Sequence, residues 1–280
     1  MATRKTTGQE PPGRAGRGSL EKMMEILDLF DGRGQRWTPE NMMQRLACPR
    51  STLYRHLRVL LDAGLVSSLP DIGYTLGPRI AELDYEMRSS DPLIGNGRPL
   101  LQALVRDIPG VGLLCRYYKD RVLCIHQEGA ATDFNSGYER GRAMPLARGA
   151  ASRAILAHIK LPHLREIYER QSKEFAQVGL GKTFADLQEH LRQIRKQEYC
   201  VTHGEVTPGV VGIAAAVLDG QGEVIGSLSI TVAARDVSER RMQTIADRVA
   251  FAATAVTHAM RTNTRERPAG RNNPISKGVS

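Results

Sequence analysis

The sequence predicts an α+β chain in two parts. A helical N-terminal part ends in a small two-stranded ribbon, and a larger part packs helices on an antiparallel sheet. Three observations carry this reading. Two short helical patterns joined by a tight turn run into paired strand-like segments between Thr38 and Pro78. Strand-like runs 112–118 and 121–127, and again 210–218 and 224–232, are separated only by turn residues, as in hairpins. Helical patterns fill the interval between those hairpins and close the chain.

Thr38 suits an N-cap and Pro39 the first helical position, where a missing N–H costs nothing. Met42, Met43 and Leu46 form the apolar stripe of that helix, and Cys48-Pro49 ends it, because the residue before proline is pushed out of the α region. Ser51 is placed to cap the next helix, whose apolar positions Leu53, Leu57, Leu60 and Leu61 leave Thr52, Arg55 and Arg58 on other faces. Gly64 terminates it, and Leu65-Val66 with Tyr74-Thr75-Leu76 forms a small wing around Pro70, Asp71 and Gly73. This is the outline of a winged helix-turn-helix.

Between Glu40 and Asp62 there is no acidic residue, while Arg45, Arg50, Arg55, His56 and Arg58 fall inside that window. An Arg can bridge O6 and N7 of guanine, and Ser and Thr hydroxyls can reach bases or phosphates, so this face suits a major groove. The competing reading is a helical hairpin with a solvated Arg face.

At 280 residues and 41% hydrophobic content the chain can bury a core and is long enough for two domains. The net charge of +9 and a pI near 9.6 favour polyanionic partners. Part of that charge lies in segments 1–18 and 262–280, which read as disordered basic tails that are solvated rather than bound. No run of 18 apolar residues and no apolar signal core occur, so a cytoplasmic protein without a membrane partner is expected. Cys48, Cys115, Cys124 and Cys200 are scattered without a Cys-x-x-Cys pair, which argues against a structural disulfide or a metal site. Cys124-x-His126 sits in the alternating run Val122-Leu123-Cys124-Ile125 and reads as core packing.

After the wing, Ile80, Leu83 and Met87 continue a helical connector that Ser89-Ser90-Asp91-Pro92 breaks, and a helix over 99–108 opens the larger part. The first hairpin turns at Lys119-Asp120. Helices are expected over 150–158, around 164–170 and over 184–196, then the second hairpin around Asp219-Gly220-Gln221-Gly222, and a long closing helix over 239–260. The resulting domain boundaries are 19–79, a linker helix at 80–98, and 99–261.

With these elements in place, the sequence resembles the IclR family of bacterial transcription regulators over roughly residues 19 to 260. The helix from Ser19 to Phe30 resembles that family's first helix, Arg50-Ser51-Thr52-Leu53-Tyr54-Arg55-His56-Leu57 its recognition helix, and Gly73-Tyr74-Thr75-Leu76-Gly77-Pro78 its wing. The stretch Met144 to Ala157, Gly181-Lys182-Thr183, Gln193 to Lys196, Glu205 and Gly209 to Val217 resemble its effector-binding domain. The resemblance implies a GAF-like or profilin-like fold there, and DNA contacts from Arg50, Ser51, Thr52, Tyr54, Arg55 and Arg58. It also implies an effector site at Gly149, Ala150, Ala151, Thr202, Gly212, Ser229 and Thr231.

The chemistry of that site is that of a small organic acid. Small residues at a helix start let a carboxylate approach backbone N–H groups, and Ser229 and Thr231 share one strand face. The competing reading for that pair is alternating Ser and Thr facing solvent on a half-exposed strand. The chain departs from the family pattern at Ala147, Arg148, Ser152, Arg153 and Gly212. Gly212 enlarges the site, and Arg148 either adds a cation or faces solvent, so an acid bulkier than a two- or three-carbon oxoacid, aromatic acids included, is expected. His203 reads as structural or exposed.

The expected function is a sequence-specific regulator that binds operator DNA as a homodimer or homotetramer under the control of such an acid, with RNA polymerase a further partner if it activates. No cofactor and no catalytic residue are expected. The alternatives are an enzyme using His126, His203, Glu205, Cys124 or Cys200, which no His-Glu-x-x-His, Gly-x-Ser-x-Gly or phosphate-loop motif accompanies, and a non-specific DNA-binding protein.

Overall fold

The computed structural model describes residues 18–30, 36–130 and 139–265. Of the expected tails, 1–17 and 266–280 lie outside the described residues. The chain divides into two compact units with the boundary between Met87 and Arg88. No described helix is long and apolar enough to cross a membrane.

In the first unit, α1 (Ser19–Leu27), α2 (Pro39–Leu46) and α3 (Arg50–Asp62) pack around Ile26, Trp37, Met42, Leu53, Leu57 and Leu60. α1 stops at Leu27, three residues before the expected end at Phe30, because Asp28 already sits in the cap position. Thr38 caps α2 as predicted: its side chain accepts from the Asn41 N–H at 3.3 Å. α2 ends through Ala47 in the left-handed region.

Ser51 does not cap α3. Pro49 occupies the cap position and Ser51 falls inside the first turn, because Pro49's fixed φ of −63° already suits the entry to a helix. The wing strands are β1 (Val66–Leu69) and β2 (Gly73–Leu76), paired antiparallel. Trp37 adds a contact that the hydrophobic pattern does not show: it forms a single antiparallel β-bridge to Tyr74 at the edge of the wing. Its indole N–H donates to the Leu29 carbonyl at 3.0 Å, so one side chain ties the wing to the end of α1. Gly73 makes the approach possible, since it stands at φ +96° and a Cβ there would lie 2.5 Å from the Trp37 carbonyl oxygen. α4 (Arg79–Ser90) follows the wing and buries no residue.

The second unit opens earlier than expected. α5 runs Pro92–Asp107, and its cap is Asp91, which accepts from the Leu93 N–H at 2.8 Å. Asp91-Pro92 thus works as Thr38-Pro39 does, as a helix start as well as a break, and Pro99 lies inside the helix rather than at its beginning. Asp91 also pairs with Arg116, anchoring the helix start to the sheet.

That sheet has six antiparallel strands in the order β5 (Ala143–Pro145), β4 (Arg121–Glu128), β3 (Val111–Tyr118), β8 (Val224–Ala233), β7 (Val210–Leu218) and β6 (Cys200–His203). The short edge strands β5 and β6 have too few residues to show alternation in the sequence. Lys119 and Asp120 both take positive φ, as a tight two-residue hairpin turn requires.

Between the hairpins lie α6 (Ala150–Leu156), α7 (Leu161–Gln177, interrupted at Gln171) and α8 (Phe184–Gln197). A reciprocal Thr183/Asp186 capping box starts α8. The closing helix α9 runs Glu239–Arg265, so 262–265 are helical where a tail was expected. One face of the sheet carries α6, α7 and α8 and the other α5 and α9, so both faces are covered.

Gly73→Ala should destabilise the N-terminal unit by about 1–3 kcal/mol through backbone strain and the collision with Trp37. Trp37, the sole tryptophan of the sequence, reports this directly as a lowered urea midpoint in its fluorescence. An unchanged midpoint would contradict the close approach of wing and Trp37.

Candidate functional site

On α3 the buried set is Leu53, His56, Leu57 and Leu60. Arg50, Ser51, Tyr54, Arg55 and Arg58 are exposed, and Thr52 is half-buried. Ser51, Arg55 and Arg58 stand at i, i+4 and i+7 and therefore form one stripe along the outer face. The Arg50 guanidinium lies over the Tyr54 ring, 5.4 Å from its centroid. No side chain caps the first turn of α3.

His56 does not belong with the basic face. It is turned inward, 3% exposed, and its Nε2 lies 2.9 Å from Ser19 Oγ on α1. Burial and the neighbouring Arg55 charge hold its pKa below the ordinary imidazole value.

In the second unit, the strand register builds a pocket floor rung by rung. Thr231 on β8 pairs with Gly212 on β7, which pairs with Thr202 on β6. One rung along, Leu113 on β3 pairs with Ser229, which pairs with Ala214. Side chains two apart on a strand share a face, so Ser229 and Thr231 point together toward α6. They are buried, at 3% and 5% exposure, and the solvent-facing reading of this pair is therefore wrong. β8 is a central strand covered on both sides: Leu228, Ile230 and Val232 fill the core under α5 and α9, and the hydroxyls occupy the other face.

The start of α6 closes over this floor. All seven residues expected at the site, Gly149, Ala150, Ala151, Thr202, Gly212, Ser229 and Thr231, line one pocket. Leu113, Gly204, Glu205, Val206 and Val210 complete the wall. These were not singled out by sequence for the site; a loop rim and an apolar floor residue have no pattern of their own. A Cβ on Gly212 would stand 3.3 Å from Thr202 Oγ1 and 3.5 Å from Ala150 Cβ, so the glycine lets Thr202 and the start of α6 approach the floor closely. Ser229 Oγ is buried without a hydrogen-bond partner among the described residues.

The rim is held by charge. Glu205 accepts from the Gly149 N–H at 3.0 Å and pairs with Arg153 at 2.8 Å. Arg153 also donates to the carbonyls of Ala147 and Val178. Gly149 is thus committed to the rim by its N–H, while its φ of +82° turns the chain into α6. Arg148 lies outside the pocket lining and faces Glu174 at 3.9 Å.

The residues of the enzyme alternative are not gathered. His126 on β4 and His203 on β6 are separated by three strands, His126 pairs with Glu128, and Glu205 is paired with Arg153. Burial pushes the Cys200 thiol up to about 12. Among the described residues no cluster of three His, Cys, Asp or Glu could hold a metal.

Comparison with known proteins agrees with both halves. Residues 87–258 match the family model of the bacterial transcriptional regulator IclR C-terminal domain, and 23–68 match a helix-turn-helix domain. The chain belongs to the IclR family of bacterial transcriptional regulators. It is 27% identical over 244 residues to the HTH-type transcriptional regulator BhcR of Paracoccus denitrificans, covering 86% of this chain and 87% of that one. To the Pca regulon regulatory protein of Pseudomonas putida it is 24% identical, covering 76% and 73%.

The fold is shared with solved IclR structures. The regulator from Alicyclobacillus acidocaldarius superposes with a TM-score of 0.71 at 21% identity, covering 86% of this chain and 98% of that one. An IclR homolog from Microbacterium hydrocarbonoxydans, solved in complex with 4-hydroxybenzoate, does so with a TM-score of 0.70 at 21% identity, covering 88% and 100%. The chain is accordingly a helix-turn-helix transcription regulator with a C-terminal effector-binding domain.

Because the folded state disfavours protonated His56, its stabilisation is present above the unfolded pKa of about 6.5 and is lost as pH falls below it. Trp37-monitored melting should therefore drop in temperature between about pH 7 and pH 5. His56→Gln should flatten that dependence; an equally steep loss in the variant would assign the effect elsewhere.

Proposed function

We propose that this regulator binds operator DNA sequence-specifically through α3 and that a small organic acid in the pocket under α6 modulates that binding. The observation that carries the ligand half is the buried, unpartnered Ser229 Oγ facing a hydroxyl-lined pocket, since such groups are ordinarily hydrogen-bonded. A carboxylate at the α6 start would take first-turn N–H groups and the Ser229 and Thr231 hydroxyls. The 4-hydroxybenzoate complex of the Microbacterium hydrocarbonoxydans homolog, which shares this fold, supports an acid of aromatic size. Nothing in this reading requires catalysis or a cofactor.

For DNA, the Ser51, Arg55 and Arg58 stripe supports major-groove insertion, with Arg55 central, Thr52 and Tyr54 flanking it, and Arg50 and Arg58 on phosphates. A helix that buries nothing, with Leu83 exposed, supports self-association into a dimer or tetramer that engages paired half-sites. The working location is the cytoplasm, and RNA polymerase is a partner if the regulator activates. On this reading the effector-binding domain includes the whole of α5 from Pro92, so the connector from the DNA-binding domain is shorter than 80–98.

Arg55→Ala should weaken operator binding by about 1–3 kcal/mol and relax one base position in a footprint, whereas loss of Arg50 or Arg58 should weaken all sequences and flatten the salt dependence. An unchanged footprint removes Arg55 from base reading. For the pocket, a thermal-shift panel of aliphatic and aromatic acids identifies the ligand. Ser229→Ala with Thr231→Val should then weaken it by about 0.5–1.5 kcal/mol per lost bond while operator affinity without ligand holds. Wild-type ligand affinity in the double variant would move the site elsewhere, and equal ligand affinity with and without operator would exclude thermodynamic coupling.

A further inference from the structure

The face of the sheet that floors the pocket continues one rung further into a pair of thiols. Cys115 lies two residues along β3 from Leu113, and Ser227 two residues before Ser229 on β8. The register pairs Cys115 with Ser227 on one side and with Cys124 of β4 on the other. A bulge leaves Ile125 without an opposite residue and turns Cys124 to the same side as Cys115, so both belong to the core under α6 while Ile125 joins the opposite one.

Both sulfurs are free and buried, with 0% and 1% exposure. Residues directly opposite in an antiparallel pair have Cα atoms about 4.5–5.5 Å apart. A disulfide spans about 4.4–6.8 Å, so the bond is reachable without a change of strand register. Each thiol acts on the other: the neighbouring Cys124 and burial raise the Cys115 pKa, and the neighbouring Cys115 lowers that of Cys124. Cys200, by contrast, faces Ala214.

We propose that Cys115 and Cys124 are a thiol–disulfide pair that a peroxide oxidises in the folded protein, one rung from the floor of the pocket. The Cys124 thiolate attacks one peroxide oxygen, the O–O bond breaks, and the departing hydroxide takes a proton to become water, leaving a sulfenic acid. The Cys115 sulfur then attacks Cys124, the S–O bond breaks, and the second hydroxide leaves with the Cys115 proton as water. Two thiols supply the two electrons that reduce one peroxide to two waters. The new bond clamps β3 to β4 beside Leu113, so the oxidation state acts on the strand that forms part of the pocket floor.

The test treats the native full-length protein with hydrogen peroxide, quenches with catalase, then denatures, alkylates and maps peptides by mass. Two of the four thiols should be lost to alkylation. A dithiothreitol-sensitive species should join the Cys115 and Cys124 peptides, lighter than their sum by two hydrogen atoms. In Cys115→Ser the link should vanish and dimedone should trap Cys124 as its sulfenic acid; Cys115→Ala serves the same purpose if the serine variant does not fold. The proposal is overturned if both thiols stay alkylatable, if the link joins other cysteines, or if it forms only in chain denatured before oxidation.

Discussion

The effector-binding domain is organised by one constraint: the central strand β8 is covered on both faces, yet every second residue from Ser227 to Thr231 carries a hydroxyl. The apolar set Leu228, Ile230 and Val232 can be buried with no further condition. The hydroxyl set cannot, because buried polar groups need partners. α6 meets this face with Gly149, Ala150 and Ala151, whose small side chains leave a space rather than fill it. The pocket is the structural result of pairing a polar strand face with a helix start too small to cover it.

What keeps the space open is a second layer of polar contacts outside it. Arg153 reaches the Ala147 and Val178 carbonyls and Glu205, and Glu205 in turn holds the Gly149 N–H. The turn before α6, the end of α7 and the loop after β6 are thereby tied to one guanidinium. An Arg, with its fork of donors, can serve three acceptors at once where a Lys ammonium offers a single point of charge. Arg153, one of the positions at which the chain departs from the family pattern, therefore gives the rim three attachments.

In the DNA-binding unit the corresponding economy lies in α3, where one helix carries two sets of side chains. Leu53, His56, Leu57 and Leu60 face the core, and Ser51, Arg55 and Arg58 face out. His56 belongs to the first set because Ser19 on α1 satisfies its ring nitrogen, so the basic face is made of arginines alone. Trp37 plays the organising role on the other side, joining the wing to the end of α1 through its ring N–H and its backbone.

Local signals determined much of this in advance. Thr38-Pro39 started a helix where predicted, Val210–Leu218 appeared with the expected bounds, and Lys119-Asp120 turned the first hairpin, because capping, alternation and turn conformation depend on residues close in sequence. The seven positions expected at the effector site were found lining one pocket, but they came from resemblance to a family; spacing alone brings Ser229 and Thr231 together and nothing more. Tertiary structure decided the rest. It put Ser229 under α6 instead of in water, paired Arg153 with Glu205 across 51 intervening positions, and set Cys115 opposite Cys124 through a bulge. It also chose Pro49 over Ser51 as a helix cap and turned His56 inward. Each of these depends on which surfaces meet and on which polar groups then need partners, and those long-range pairings leave no period in a sequence.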